Sequence, residues 1–308
     1  VKVLVTGASG HIGGAVARLL GERGHIIRAA VRNPARAPEG GEMVSLNLAG
    51  VTPEAVMQAV EGCDAVVHAA AWMNDDDHPE NALNVNVTAT LRLLEAARAR
   101  TRVFVLISGL NFLRRPLSGL VAEDWPAEVP SNLYALGKLA AESLSLWFAR
   151  EAATCRVVVL RPSSPIGPGL RRRRIFALFC DAAALGAPLY CHGSGARIQD
   201  YVDARDIARA VLAALEHPNA AGVFHIGSGK AVSNLELARR CVAVLASSSE
   251  ILFSGQPDPE EGPEWVLDIS RAARELVWSP TISLEDSIRD YADWRKCSVA
   301  CSERMPHE

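Results

Sequence analysis

Between Val3 and Gly13 the chain reads Val-Leu-Val-Thr-Gly-Ala-Ser-Gly-His-Ile-Gly, and this stretch leaves few folds open. An apolar run of strand character ends in Gly7, Gly10 and Gly13, and the helical spacing Ile12, Val16, Leu19, Leu20 follows at once. The pattern predicts a strand, a tight turn and a helix start. Each glycine has a physical reason to be there. Gly7 permits the sharp turn, Gly10 lets main chain approach a phosphate, and Gly13 lets the helix pack closely on the sheet. The helix N-terminus then offers free N–H groups and the positive end of its dipole to an anion. The other reading is a glycine-rich turn that binds nothing.

Further strand–helix units follow. His25–Val31 reads as a second strand running into Arg32-Asn33-Pro34-Ala35-Arg36. In dinucleotide folds an acid at this strand end binds the ribose 2′-hydroxyl, whereas an arginine suits a 2′-phosphate. Here Arg32 stands without a competing carboxylate and Arg36 adds a second charge, which favours NADP(H) over NAD(H), with NAD(H) still open. Val44–Leu48 reads as a third strand, with Asn47 at its end as an adenine contact. Thr52–Val60 reads as a helix capped by Thr52. Asp64–Ala71 carries a fourth strand, apolar on both faces, in which His68 reads as a packed, hydrogen-bonded histidine. The acidic loop Asn74–Asp77 lacks the alternating spacing of a calcium loop and reads as a solvated helix entry, so no metal is expected. A helix is predicted over Asn84–Arg98, with Leu83, Val87, Leu91, Leu94 and Ala97 on one face and Asn86 as its polar exception. Val103–Ile107 is a fifth strand, ending in Ser108-Gly109-Leu110-Asn111.

Tyr134-Ala-Leu-Gly-Lys138 opens a helix reaching about Arg150. Residues four apart share a helical face, so phenol and ammonium point into one space. A free tyrosine titrates near ~10, too high for ready exchange near neutrality. A nearby ammonium favours the phenolate, so the pair suits general acid–base work. Cys155–Leu160 is a sixth strand, and Arg161–Gly169 reads as an irregular crossing. The run Arg171–Arg174 reads as a solvated helix start rather than an anion clamp, opening a helix over Ile175–Leu185. Ile198–Val202 is a short strand, Asp203–Leu215 a helix, Gly222–Ile226 a strand and Ser233–Val244 a helix with Ser233 and Glu236 at capping-box spacing. Trp278–Ile288 reads as turn then helix, and beyond about Lys296 no pattern remains.

A chain of 308 residues with 49% hydrophobic and 22% charged residues can bury a large core, and its net charge of −3 gives no argument for nucleic acid or an anionic membrane. No apolar run approaches the ~18–20 residues of a membrane span. With a strand at the first residues, no signal peptide is expected. Seven cysteines, an odd number without CxxC spacing, read as free thiols in a reducing cytoplasm.

Taken jointly, Thr6–Gly13, Asp64–Ala70, Asn86 with Leu93–Ala97, Tyr134/Lys138, Leu160–Pro162 through Gly167–Gly169, Asp206–Ala208, Phe224–Ser228 and Asp268–Ser270 through Trp278–Pro280 resemble the extended short-chain dehydrogenase/reductase family, the NAD-dependent epimerase/dehydratases. The resemblance implies an α/β fold: a doubly wound parallel sheet of Rossmann type with a smaller C-terminal substrate-binding region. On this division residues 1–162 mainly bind NADP, 163–296 mainly hold substrate with elements returning to the sheet, and 297–308 form a tail. It implies cofactor contacts at Gly7, Ser9, Gly10, His11, Ile12, Gly13, Arg32, Asn47, Leu48, Ala69, Ala70, Ala71, Asn86, Ile107, Pro162 and Ser164. Tyr134 and Lys138 serve both the cofactor and the proton transfer.

Three departures bear on the substrate. The family's substrate-bonding hydroxyl falls on Gly109, leaving Ser108, Asn111 or a group of the substrate itself as the replacement. Ser163-Ser164 stands where nucleotide-sugar members carry an asparagine, and Gln199 where they carry an arginine, with Arg197 two residues away. Arg28–Pro34 and Glu216–Gly222 resemble the dihydroflavonol-reductase-like branch of NADPH-dependent ketone reductases. The expected function is therefore NADPH-dependent reduction of a ketone to a secondary alcohol, on an aromatic or polyketide-like small molecule of secondary metabolism. The partner is that ketone, with no nucleic acid and no membrane, on a monomer or homodimer. The alternatives are a nucleotide-sugar epimerase or 4-ketoreductase, and a non-catalytic NADP(H) sensor.

Overall fold

Alternation along the first strand decides the layering. In a computed structural model, which describes residues 1–33, 41–73, 78–116, 119–151 and 154–302, β1 spans Lys2–Thr6. Val3 and Val5 turn to one face and Leu4 to the other, as successive strand residues must. Behind Val3 and Val5 lie α1 (His11–Glu22) and α7 (Ala204–Glu216). Behind Leu4 lie α2 (Pro53–Val60), α4 (Ala89–Arg98) and α5 (Leu133–Glu151). Strands β4 (Ala65–His68) and β5 (Val103–Ile107) are buried on both faces, which is why they read as unbroken apolar runs.

With β2 (Ile26–Val31), β3 (Glu42–Ser45), β6 (Arg156–Pro162) and β11 (Gly222–Ile226), these strands form one parallel sheet in the order β11-β6-β5-β4-β1-β2-β3. The order reverses between β1 and β4. The connections leaving those two strands part to opposite faces, and a crevice opens at their C-terminal ends.

A smaller core gathers α6 (Ile175–Ala184), α8 (Asn234–Val244) and α10 (Leu284–Ser302) around Phe176 and Tyr291, whose rings meet edge-on at 5.4 Å. Short strand pairs tie it together: β7 (Ser164–Ile166) with β10 (Tyr201–Asp203), β8 (Leu189–Cys191) with β13 (Ile251–Phe253), and β9 (Ile198–Gln199) with β12 (Val232–Ser233). Two short helices, α3 (Pro79–Leu83) and α9 (Ser270–Glu275), complete the elements.

Several expectations shift. The third strand pairs at Glu42–Ser45 rather than Val44–Leu48, and Asn47 caps a 3-10 turn at Leu48–Gly50 by accepting from Ala49 N at 3.3 Å. The helix expected from Asn84 begins at Pro79 and passes through a π turn at Asn84–Thr88 before α4. The wider turn rotates the buried face. Ala82, Val85 and Ala89 are buried while Leu83 is exposed and Val87 and Leu91 are half-buried, so the expected stripe holds only from Leu94 onward. The expected strand Ile198–Val202 breaks at Asp200. That buried carboxylate accepts from Ser228 N at 2.6 Å, Gly229 N at 2.9 Å and Leu267 N at 3.2 Å, and burial raises its pKa. The crossing after Arg161 is more ordered than expected, since β6 runs to Pro162 and β7 follows. Helix α10 continues to Ser302, well past Lys296 where no pattern was expected. Arg36 and the acidic loop Asn74–Asp77 lie outside the described residues. Cys63, Cys155, Cys180, Cys191 and Cys241 are free and buried, and Cys297 is free and exposed. Among the described residues no helix is long and apolar enough to cross a membrane, and no cluster of His, Cys, Asp and Glu could hold a metal ion.

Candidate active site

The glycine turn is fitted to its surroundings by the absence of side chains. Gly7 has φ +68°, and a Cβ there would stand 2.8 Å from Ala70 N. A Cβ on Gly13 would run into the Gly7 carbonyl, so the first turn of α1 rests on the turn itself. Gly10 N donates to Gly7 O at 2.8 Å, and Gly10 caps α1 without a side-chain hydrogen bond. The N–H groups of the first turn therefore face the crevice with the positive end of the helix dipole. A cradle this close, closed to any Cβ, fits the pyrophosphate of a dinucleotide.

The opposite lip, Ala69–Trp72, is held by a polar chain whose donors all run one way. Ala70 N–H donates to Thr6 Oγ1 at 3.3 Å, which leaves the Thr6 hydroxyl to donate to His68 Nδ1 at 2.7 Å. His68 Nε2–H then donates to Thr90 Oγ1 at 3.0 Å, and Thr90 donates to Asn86 O at 2.8 Å. This order requires a neutral imidazole, and burial holds the His68 pKa down to about 3, helped by the Lys138 charge. His68 is thus the packed, hydrogen-bonded histidine expected. Asn86 closes the arrangement differently from expectation. Its side chain accepts from Trp72 N at 2.8 Å and donates to Trp72 O at 2.9 Å. With both ends of its amide used on the Trp72 main chain, Asn86 shapes the lip and does not line the crevice.

The crevice is a cavity of about 800 Å³. It brings together Gly7, Ser9, Gly10, His11, Ile12 and Gly13 from the turn, Arg32 from the end of β2, Asn47 and Leu48, and Ala69–Ala71 after β4. Ile107, Ser108 and Asn111 after β5, Tyr134 and Lys138 on α5, and Pro162 and Ser164 after β6 line it too. Burial lowers the His11 pKa to about 4 against the pull of Asp203. The Arg32 guanidinium lies 5.9 Å over the Trp72 ring.

Tyr134 and Lys138 share the inner face of α5, where Lys138 Nζ sits 6.0 Å from the tyrosine ring centre and donates to Ile107 O at 2.7 Å. Burial lowers Lys138 to about 8, with Glu142 one turn on pulling it back up. Burial also raises the Tyr134 pKa, and the charges drawing it back are Arg172 and Arg174 rather than the lysine expected to do so.

Ser108 and Gly109 stand in different surroundings. Ser108 lines the cavity, but its Oγ donates to Glu142 Oε2 at 2.8 Å, and Glu142 is ion-paired with the buried Arg161. Its hydroxyl therefore points its proton behind the site, at Glu142. A Cβ built on Gly109 would stand 3.9 Å from Tyr134 Oη and 3.5 Å from Asn111 Oδ1, both ordinary contacts. The space beside the phenol is open, and Asn111 is the polar side chain that borders it.

The fold carries into the site several residues that the sequence pattern does not single out. Arg171–Arg174 do open α6, with Arg174 at its N-cap, yet all four line the cavity, so the solvated-start reading describes only part of what they do. Trp72, Phe176, Arg197 and Tyr201 line it as well, and Glu142 supports it from behind. Glu142 lies one turn beyond Lys138 on the same face, a spacing that could have marked it.

Comparison with known proteins agrees with this architecture. A family model described as the NAD dependent epimerase/dehydratase family matches residues 3–227. The chain is similar to cinnamoyl-CoA reductase 2 of Arabidopsis thaliana, 31% identical over 245 residues that make up 72% of this chain and 71% of that one. It is similar to dTDP-6-deoxy-L-talose 4-dehydrogenase (NAD(P)(+)) of Kitasatospora kifunensis, 32% identical over 317 residues covering 97% and 96% of the two chains. In fold it is similar to UDP-glucose 4-epimerase of Thermotoga maritima, with a TM-score of 0.86 at 22% identity, covering 97% of this chain and 100% of that one.

Proposed function

The chain belongs to the NAD dependent epimerase/dehydratase family, and from that premise we propose that it is an NADP(H)-dependent reductase converting a ketone to a secondary alcohol. The observation that carries the reading is the placing of Tyr134 and Lys138 on one helix face, at the cavity that also receives the glycine turn. When bound, the reduced nicotinamide supplies the hydride that reaches the carbonyl carbon. Tyr134 Oη donates a proton to the carbonyl oxygen as that bond forms, and water returns the proton to the phenolate. Burial keeps Tyr134 protonated at neutral pH, the form that reduction needs. Lys138, anchored on Ile107 O, holds a positive charge next to the developing phenolate. Arg32, with no acid beside it at the end of β2 among the described residues, supports the phosphorylated cofactor.

NADPH and NADH are titrated against a panel of aromatic and aliphatic ketones, following absorbance of the reduced cofactor. The expected outcome is oxidation of NADPH at lower KM than NADH. Protein that carries tightly bound NAD and interconverts a dTDP- or UDP-sugar without consuming reductant would replace this reading with the second one, an epimerase or dehydratase. The relatives named for dTDP- and UDP-sugars keep that second reading in play.

A further inference from the structure

We propose that Trp72 is a specificity-determining residue for the cofactor: its ring holds the Arg32 guanidinium in place for the adenosine 2′-phosphate of NADP(H). The inference deepens the NADP(H) reading and rests on it for the role of Arg32.

Arg32 follows β2 directly, is exposed and lines the crevice. Among the described residues it has no ion pair, and its Cζ lies 5.9 Å over the Trp72 ring. An arginine that samples many rotamers loses that freedom when it grips a ligand, and one already stacked loses less. Stacking occupies the face of a guanidinium and leaves its N–H edge for the oxygens of a phosphate. The contact with Trp72 therefore prepares Arg32 for an anion without using up its donors.

The ring is itself held firmly. The Asn86 amide bonds both the N–H and the carbonyl of Trp72, at 2.8 Å and 2.9 Å. Asn86 is buried, and a Cβ on Gly137 would stand 2.8 Å from its Cβ. The glycine just before Lys138 on α5 is thus what admits Asn86 to the lip. The Trp72 side chain packs against the core cluster that includes Leu46 and Leu48. Arg32 is stacked on a platform fixed through its main chain and from behind.

The indole N–H bears on the same point independently. Trp72 Nε1 is buried and has no hydrogen-bond partner among the described residues. A buried donor without an acceptor costs stability, and phenylalanine at this place would avoid the cost. Tryptophan is, however, the aromatic side chain that attracts a cation most strongly. The fold bears an unmet donor at the residue over which Arg32 lies, which fits a ring kept for its face.

The test is calorimetric binding of adenosine 2′,5′-bisphosphate and of 5′-AMP to the full chain, two probes that differ only in the 2′-phosphate and need no turnover. The parent should bind the bisphosphate about tenfold or more tighter than 5′-AMP, as hydrogen bonds to a charged group allow. R32Q should remove most of that ratio. W72L, or W72M should the leucine variant not fold, should cut the ratio about three- to fivefold, the range of an exposed cation–π contact, while 5′-AMP affinity stays within about twofold. W72F, which keeps an aromatic face, should retain more of the ratio than W72L. In R32Q/W72L the ratio should equal that of R32Q alone, because the ring acts through Arg32. Equal losses for both probes in W72L would make the ring an adenosine contact and overturn the proposal, as would a ratio in the double variant below that of R32Q. A ratio unchanged in W72L but lowered in R32Q overturns the role of Trp72 and leaves the NADP(H) reading standing. A ratio unchanged in R32Q overturns that reading and the proposal with it.

Discussion

The wall that follows β1 is built chiefly of main chain. The glycine turn and the start of α1 bring main chain and a helix dipole to the crevice, packed so closely that a Cβ at Gly7 or Gly13 would clash. The wall between Pro162 and Tyr201 is lined by side chains: four consecutive arginines ahead of α6, Ser164 of β7, Gln199 of β9 and Tyr201 of β10. The first wall is a local structure that a dozen residues specify. The second is assembled from segments that meet only in the folded chain. A main-chain site tolerates almost no added atoms. A side-chain site tolerates change in shape and responds to charge and salt. Tyr134 and Lys138 stand where the two walls meet.

The largest effect is expected at that junction. Tyr134→Phe removes the proton donor and leaves the ring, so kcat should fall by about 10²–10⁴-fold. The Kd for NADPH, measured by fluorescence, should stay within threefold. A comparable loss in cofactor affinity would mean that Tyr134 belongs to the first wall rather than between the two.

Next comes the support behind the junction. Glu142→Gln leaves the buried Arg161 without its partner and should destabilise the protein by about 3–5 kcal/mol, read from denaturant unfolding. It also changes the pH profile. Lys138 is held to about 8 by burial, so its charge, and with it the rate of reduction, should fall as pH rises through that value. Glu142 pulls that value up, so the Gln variant should lose activity at lower pH than the parent. A profile that does not move would show that Glu142 serves the fold alone.

Gly13→Ala tests the first wall. One methyl against the Gly7 carbonyl should cost about 1–3 kcal/mol, as overpacking does, appearing as roughly 5–150-fold weaker cofactor binding. Arg32→Gln, by contrast, should alter preference between NADPH and NADH while the protein stays as stable as the parent. Equal mild effects from both changes would erase the distinction between a main-chain and a side-chain wall.

The sequence made the first wall legible because each of its determinants is local. The glycine spacing, the apolar runs of β1, β4 and β5 and the Tyr134/Lys138 pair are all read within one turn or one strand. The rest depended on long-range contact. The role of Asn86 is set by the Trp72 main chain, which it meets through a π turn that helical periodicity does not announce. Arg171–Arg174 look solvated in any window of sequence, because only the packing of α6 against α8, α10 and β8 brings the segment ahead of it to the cavity. The hydroxyl of Ser108 looks available in sequence because it follows β5 beside Gly109, whereas its acceptor, Glu142, lies 34 residues away on α5.

Ser108→Ala is where the smallest effect is expected, and it separates two roles that the sequence could not. Ser108 follows β5 directly and borders the cavity, so a substrate contact is geometrically open to it. Its proton, however, is donated to Glu142 Oε2, which also accepts from Arg161 Nε at 3.0 Å. To serve the substrate, the hydroxyl would have to give up a charge-assisted bond to a buried carboxylate, which is stronger than a single contact to a neutral carbonyl. The alanine variant is therefore expected to lower kcat less than threefold and to lower stability by about 1 kcal/mol. A fall in kcat of a hundredfold with unchanged stability would show that Ser108 turns toward the substrate during the reaction. In the same assay Gly109→Ser, whose Cβ would stand in the open space 3.9 Å from Tyr134 Oη, should change kcat/KM more than Ser108→Ala does, because it acts on the reacting side of that boundary.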